Sequence, residues 1–165
     1  MRWAEQLADH LELLAGLGAM VASAPPRATV VCHRDFDPTN VLPTLGGTMV
    51  VVDWENAGPL APECELANVL LAWTCDAGRA ERSLAQAILR GYRGTGGTAT
   101  VESPADFAVA IAIQLNFLRV MADAALDDPN QRAFAQAKID RLLAGDLRAL
   151  TLSIPALVDI ARMSE

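Results

Sequence analysis

The residues best suited to chemistry stand in one stretch, His33-Arg34-Asp35-Phe36-Asp37-Pro38-Thr39-Asn40, followed further along by Asp53-Trp54-Glu55. Two carboxylates and an amide in this order suit transfer of a phosphoryl group to a hydroxyl. Asp35 can accept the proton of the attacking hydroxyl. The amide of Asn40 and the carboxylate of Asp53 supply the hard oxygens that hold Mg²⁺ against phosphates. Each residue alone is an ordinary turn former. Their conjunction carries the reading.

Strands must bring these groups together. Thr29-Val30-Val31-Cys32 reads as a short apolar strand that delivers Asp35. Val41-Leu42 and Thr48-Met49-Val50-Val51-Val52 are apolar or β-branched runs separated by the turn-like Pro43-Thr44-Leu45-Gly46-Gly47. Folded as an antiparallel hairpin, they set Asn40, entering the first strand, beside Asp53, leaving the second. One metal could then be reached from both.

His33 to Asn40 fits H-R-D-x-x-x-x-N, the catalytic loop of protein kinases. Val31 to Leu71 as a whole resembles the C-lobe of the aminoglycoside phosphotransferase family, the small-molecule branch of the kinase-like fold. His33 to Leu42 is similar to that family's catalytic loop. Val51-Val52-Asp53-Trp54-Glu55-Asn56-Ala57-Gly58-Pro59 is similar to its metal-binding strand end, and Glu63-Cys64-Glu65-Leu66-Ala67 to the helix start that follows. The resemblance implies an α+β, mostly helical domain, a protein-kinase-like C-lobe whose small β-hairpin carries the catalytic and metal loops. It implies Asp35 as catalytic base, Asn40 and Asp53 as magnesium and nucleotide ligands, and His33 as a structural prop of the loop. It further implies ATP and Mg²⁺, and a small-molecule hydroxyl acceptor, either an aminoglycoside-like amino sugar, which would be cationic, or another small alcohol. Asp37 stands where a His is common. Glu65 replaces the usual Asp, and should hold the catalytic-loop backbone.

A kinase also needs a glycine-rich loop and a strand lysine ahead of the catalytic loop. Neither precedes His33, and the sole lysine is Lys138. Arg93-Gly94-Thr95-Gly96-Gly97-Thr98 has no strand before it, so it reads as a flexible connector. The 165 residues therefore read as one domain, a C-lobe without its N-lobe. Such a face would be covered by homodimerisation or another partner, expected near Trp3, Leu7 and the catalytic loop. Without the loop and lysine, nucleotide should bind weakly and turn over at a negligible rate. Three readings follow: a small-molecule phosphotransferase, a non-catalytic binding module, and a half-enzyme completed by an N-lobe in trans.

Net charge is −7 and no basic run exists, which argues against nucleic acid. Cys32, Cys64 and Cys75 form no CxxC pair and suit reduced thiols in a cytoplasmic protein. Ala22-Ser23-Ala24 could be a leader cleavage triplet, but Glu5, Asp9 and Glu12 give the preceding stretch the wrong charge. Trp3, Leu7, Leu11, Leu14 and Leu17 instead recur at helical spacing, as in one amphipathic helix starting at an element boundary. Gln114, Asn116 and Arg119 interrupt the longest later apolar run, which argues against a membrane span.

Helices are expected over Pro62–Asp76 and Arg79–Arg93, then from Ser103-Pro104 to about Leu126 with a core stripe from Phe107 to Met121. Asp128 to Gln131 reads as a capping box opening a helix through Leu143. Pro155 to Met163 reads as a last short helix. Asp123 and Asp127 suit a solvated helix end better than a substrate site, and Trp54 and Trp73 suit packing better than substrate stacking. Arg34 suits a solvated position. Glu55 could orient a metal's water or cap a turn.

Overall fold

The computed structural model describes residues 2–22 and 26–164, so Ser23 and Ala24 of the triplet considered above lie outside the described residues. The chain is mostly helical, 67% of what is described, with a few short strands. That proportion decides for an α+β, mostly helical class.

Two N-terminal helices, α1 (Arg2–Asp9) and α2 (Leu11–Ala22), precede β1 (Val30–Cys32). A 3₁₀ turn at Pro38–Asn40 leads into β2 (Val41–Pro43) and β3 (Met49–Val51). A second 3₁₀ turn, Trp54–Asn56, leads to β4 (Gly58–Leu60). β1 pairs antiparallel with β4, Val30 facing Leu60, and β2 pairs with β3, Val41 facing Val51. Then come α3 (Pro62–Thr74), a two-residue hairpin of β5 (Cys75–Asp76) and β6 (Arg79–Ala80), and α4 (Arg82–Gly94). A 3₁₀ turn at Pro104–Phe107 opens α5 (Ala108–Asp127), and α6 (Arg132–Arg141) passes through a π-helical turn, Leu142–Asp146, into α7 (Leu147–Arg162).

The main core lies among the helices, with Leu70, Leu89, Phe107, Ile111, Ile139 and Leu157 all buried. A smaller apolar cluster of Cys32, Leu60, Ala61 and Cys64, packed against Val109, pins the β1–β4 pair to α3 and α5 beneath the loop at residues 33–40. The α5 stripe falls as expected, with Ile111, Leu118 and Met121 inward. Its first turn carries a capping box in which Asp106 answers Ser103.

Several elements differ from the sequence reading. The N-terminal helix breaks at His10, whose Nδ1 lies 2.7 Å from Gln6 O, and the break turns the second half. Leu11 consequently faces solvent, while Leu13, Leu14 and Leu17 pack on the core. Asp128 does not open α6; its carboxylate accepts from Asn130 N in a turn at 2.8 Å, and α6 begins at Arg132. α7 starts eight residues before Pro155 and runs through it. Burial of Leu147, Leu150, Ile154 and Leu157 outweighs one missing helical donor on the exposed side. The connector after α4 is fastened by Tyr92, whose hydroxyl accepts from Ala99 N and whose ring lies where a side chain on Gly97 would stand.

Pro104–Asp127, with mean hydropathy 1.5, is the one helix among the described residues long and apolar enough to cross a membrane. In the fold its apolar stripe meets α2, α3 and α6. Gln114, Asn116 and Arg119 lie on it.

Candidate functional site

Asp35 sits on the loop leaving β1, and three contacts fix that loop. The Glu65 carboxylate, on the first turn of α3, accepts from Arg34 N at 3.0 Å. Arg34 has φ 68°, a left-handed conformation that a non-glycine residue holds only when its surroundings fix it. Glu65 thus holds the backbone of the loop that carries Asp35. Trp73, at the other end of α3, donates its indole N–H to Phe36 O at 2.8 Å. His33 is buried, with Nε2 2.9 Å from Val52 O. A carbonyl only accepts, so Nε2 carries the proton. That bond ties the loop carrying Asp35 to the residue before Asp53, and the Trp54 ring stands edge-on to the imidazole at 4.6 Å.

The hairpin brings the other two residues to the same end. Val52 N donates to Asn40 O at 2.9 Å, so Asp53 directly follows the residue opposite Asn40. Asn40 Nδ2 donates to Asp35 O at 2.8 Å and to Asp35 Oδ2 at 3.2 Å. Only an N–H can face two oxygens, so the amide orientation is fixed and Asn40 Oδ1 is left out of these bonds. Asp53 is exposed at φ 66°, ψ 51°, with no capping bond of its own. Arg34 and Asp53 are therefore both strained left-handed residues, one on each side of the site. Asp37 caps the 3₁₀ turn instead, accepting from Thr39 N at 2.9 Å and Thr39 Oγ1 at 2.8 Å.

The donor set suits magnesium. It consists of hard oxygens alone, an amide carbonyl and a free carboxylate, for an ion that keeps waters and shares phosphates. Among the described residues no group of three His, Cys, Asp or Glu side chains could form a protein-only cage.

A cleft of about 860 Å³ opens from Asp35. Asn68 of α3, the Ala77-Gly78 turn, Gln114 of α5, and Arg148 and Ser153 of α7 stand on its walls. Ala77 (φ 46°) and Gly78 (φ 83°) make the left-handed turn of the β5–β6 hairpin. A Cβ on Gly78 would meet Ala149 Cα at 3.3 Å, so glycine lets this turn dock on α7. Asn68 Oδ1 and Ser153 Oγ are buried without hydrogen-bond partners. An orphan of this kind costs about 1–3 kcal/mol.

Of the residues singled out from sequence, Asp35, Asn40, Asp53 and His33 share one end of the domain. Asp123 lies apart, paired with Arg119 at 2.8 Å on exposed α5. Lys138 sits over the Phe134 ring at 5.3 Å on α6. Sequence reasoning missed Trp73 as a loop anchor, the cleft wall on α7, and the pair of Arg27 with Asp106. Asp106 is 1% exposed and also accepts from Glu102 N and Ser103 N. Its one legible signal was its place three residues after Ser103. Burial raises the pKa of the Cys32 and Cys64 thiols, the two beneath the loop.

A model of the phosphotransferase enzyme family matches residues 1–107, from α1 to the turn that opens α5. No curated protein and no solved structure matches the chain.

Proposed function

We propose, from the premise that this chain belongs to the phosphotransferase enzyme family, that it is a kinase-like C-lobe moving the γ-phosphate of ATP to a small-molecule hydroxyl. The observation that carries this reading is the union, at one hairpin end, of Asp35, the Asn40 amide bound to it, and the uncapped Asp53 carboxylate. Asp35 takes the hydroxyl proton as the acceptor oxygen bonds to phosphorus and the bond to the leaving diphosphate breaks. Asn40 and Asp53 would hold the metal, which when bound neutralises charge on the phosphates. Asn40 Nδ2 also steadies the base, and His33, Glu65 and Trp73 fix the backbone that carries it.

A second proposal concerns the face beyond the hairpin. Val31 is 80% exposed, Met49 65% and Trp54 56%, with Leu42, Leu45 and Val50 also exposed. Trp3 and Leu7, expected on this face, pack into the core. We infer that an N-lobe-like segment, a second copy or another chain covers β1 and the hairpin and completes the phosphate contacts. The test is transfer of labelled γ-phosphate to hydroxylated small molecules at high protein concentration. We expect slow transfer that falls about 10²–10⁴-fold in Asp35→Asn. Transfer undiminished by this substitution would overturn the assignment.

A further inference from the structure

The charges around the cleft decide which hydroxyl compounds it can seat. Most of them are already engaged. Asp37 is bonded to Thr39, and Arg141 pairs with Asp146 at 3.1 Å. The Arg34 guanidinium lies against Gly58, with Nη1 3.0 Å from where a Cβ there would stand. Asp35 is bonded to Asn40 and needed as the base. Among the described residues three charged side chains of the cleft, Arg34, Arg148 and Asp76, have no hydrogen-bond or ion-pair partner, and of the two arginines Arg34 is the one held against Gly58. Buried Ser153 and half-buried Asn68, also on its walls, each keep an unpartnered polar atom.

That inventory does not suit a polycation. Several ammonium groups would find one free carboxylate besides the base, and the guanidiniums of Arg34 and Arg148 opposing them. It suits a molecule with an anion for Arg148 and hydroxyls or an amine for Asn68, Ser153 and Asp76. A guanidinium presents a planar fork that matches a carboxylate's two oxygens. We propose that the acceptor is a small hydroxylated carboxylate, seated with its carboxylate on Arg148 and its hydroxyl at Asp35. This rests on the phosphotransferase reading for the position of the hydroxyl alone. Arg148 and Ser153 lie outside the residues matched by the family model, while Asn68 and Asp76 lie within them.

The test is saturation-transfer NMR and calorimetry on the full chain, without nucleotide. The probes are glycerate and gluconate, their neutral counterparts glycerol and sorbitol, and cationic glucosamine. We expect the acids to bind and the neutral and cationic probes to bind at least about tenfold more weakly. Arg148→Gln, an exposed position whose folding is checked by circular dichroism, should cost the acids about tenfold in affinity and leave glycerol unchanged. Arg141→Gln should cost less, since Arg141 is already paired. Equal binding of acid and neutral probes, preferred binding of glucosamine, failure of both acids to bind at millimolar concentration, or unchanged acid affinity in Arg148→Gln would each overturn the proposal. Acid binding without phosphoryl transfer would sink the transferase reading and leave this one standing. Transfer to glucosamine, with no acid bound, would do the reverse.

Discussion

Asp35 and Glu65 separate chemistry from support. Asp35, the proposed base, is exposed on the wall of the cleft, so Asp35→Asn leaves the core closed. We expect transfer to fall about 10²–10⁴-fold with an unchanged melting temperature, read by label transfer and calorimetry. Glu65 instead props a left-handed residue. Glu65→Ala strands Arg34 N and should cost about 1–3 kcal/mol by urea unfolding, while Glu65→Gln, which keeps an acceptor oxygen, should cost less. The Cys32 and Cys64 thiols follow from burial. Their folded pKa values are raised, so the associated stability is complete below the ordinary thiol value and is lost as pH rises through the folded ones. The thiol contribution should therefore lower urea midpoints on the alkaline side, a drop reduced in Cys32→Ala or Cys64→Ala, and half-buried Cys75 should react with a thiol reagent before either of them. At this scale the sequence was informative where chemistry restricts residue type. That Asp35, Asn40 and Asp53 would meet at one end of the domain was legible because the hairpin that joins them is local in sequence. Trp73 was not, since an indole donor to a carbonyl far away in sequence leaves no local pattern.

Among the elements, the β2–β3 hairpin and α5 were readable because alternation and helical spacing are local. The break at His10, the π-helical turn and the passage of α7 through Pro155 were not. Each is settled by tertiary burial, as where Leu147, Leu150 and Leu157 hold α7 together around a residue that weakens it. An interior proline costs a helix about 3 kcal/mol, while its loss frees the unfolded chain by about 0.4–1 kcal/mol. Pro155→Ala, at an exposed position, should accordingly stabilise the protein by up to about 2 kcal/mol by urea unfolding. No gain would show that α7 is curved around the proline for packing. Gly78→Ala works the other way. A Cβ there meets Ala149 Cα at φ 83°, so we expect a loss of about 1–3 kcal/mol and a cleft wall moved away from α7.

For the whole molecule, Asp35, Asn40 and Asp53, the cleft and the bare apolar strands lie around one loop. Exposed Val31, Met49 and Trp54 should make the mass seen by light scattering rise with concentration, and Val31→Lys should reverse it. A concentration-independent monomer would count against a covered face. The central claim is that Asn40 and Asp53 hold a metal while Asp35 serves as base, and Mn²⁺ in place of Mg²⁺ makes that division visible. The measurement is an electron paramagnetic resonance titration of the chain with Mn²⁺·ATP, comparing wild type with Asp53→Asn, Asn40→Ala and Asp35→Asn. We expect weak binding by wild type, lost in Asp53→Asn and reduced in Asn40→Ala, with Asp35→Asn binding like wild type. Equal binding by all four proteins, or a loss in Asp35→Asn as large as that in Asp53→Asn, would contradict the assignment.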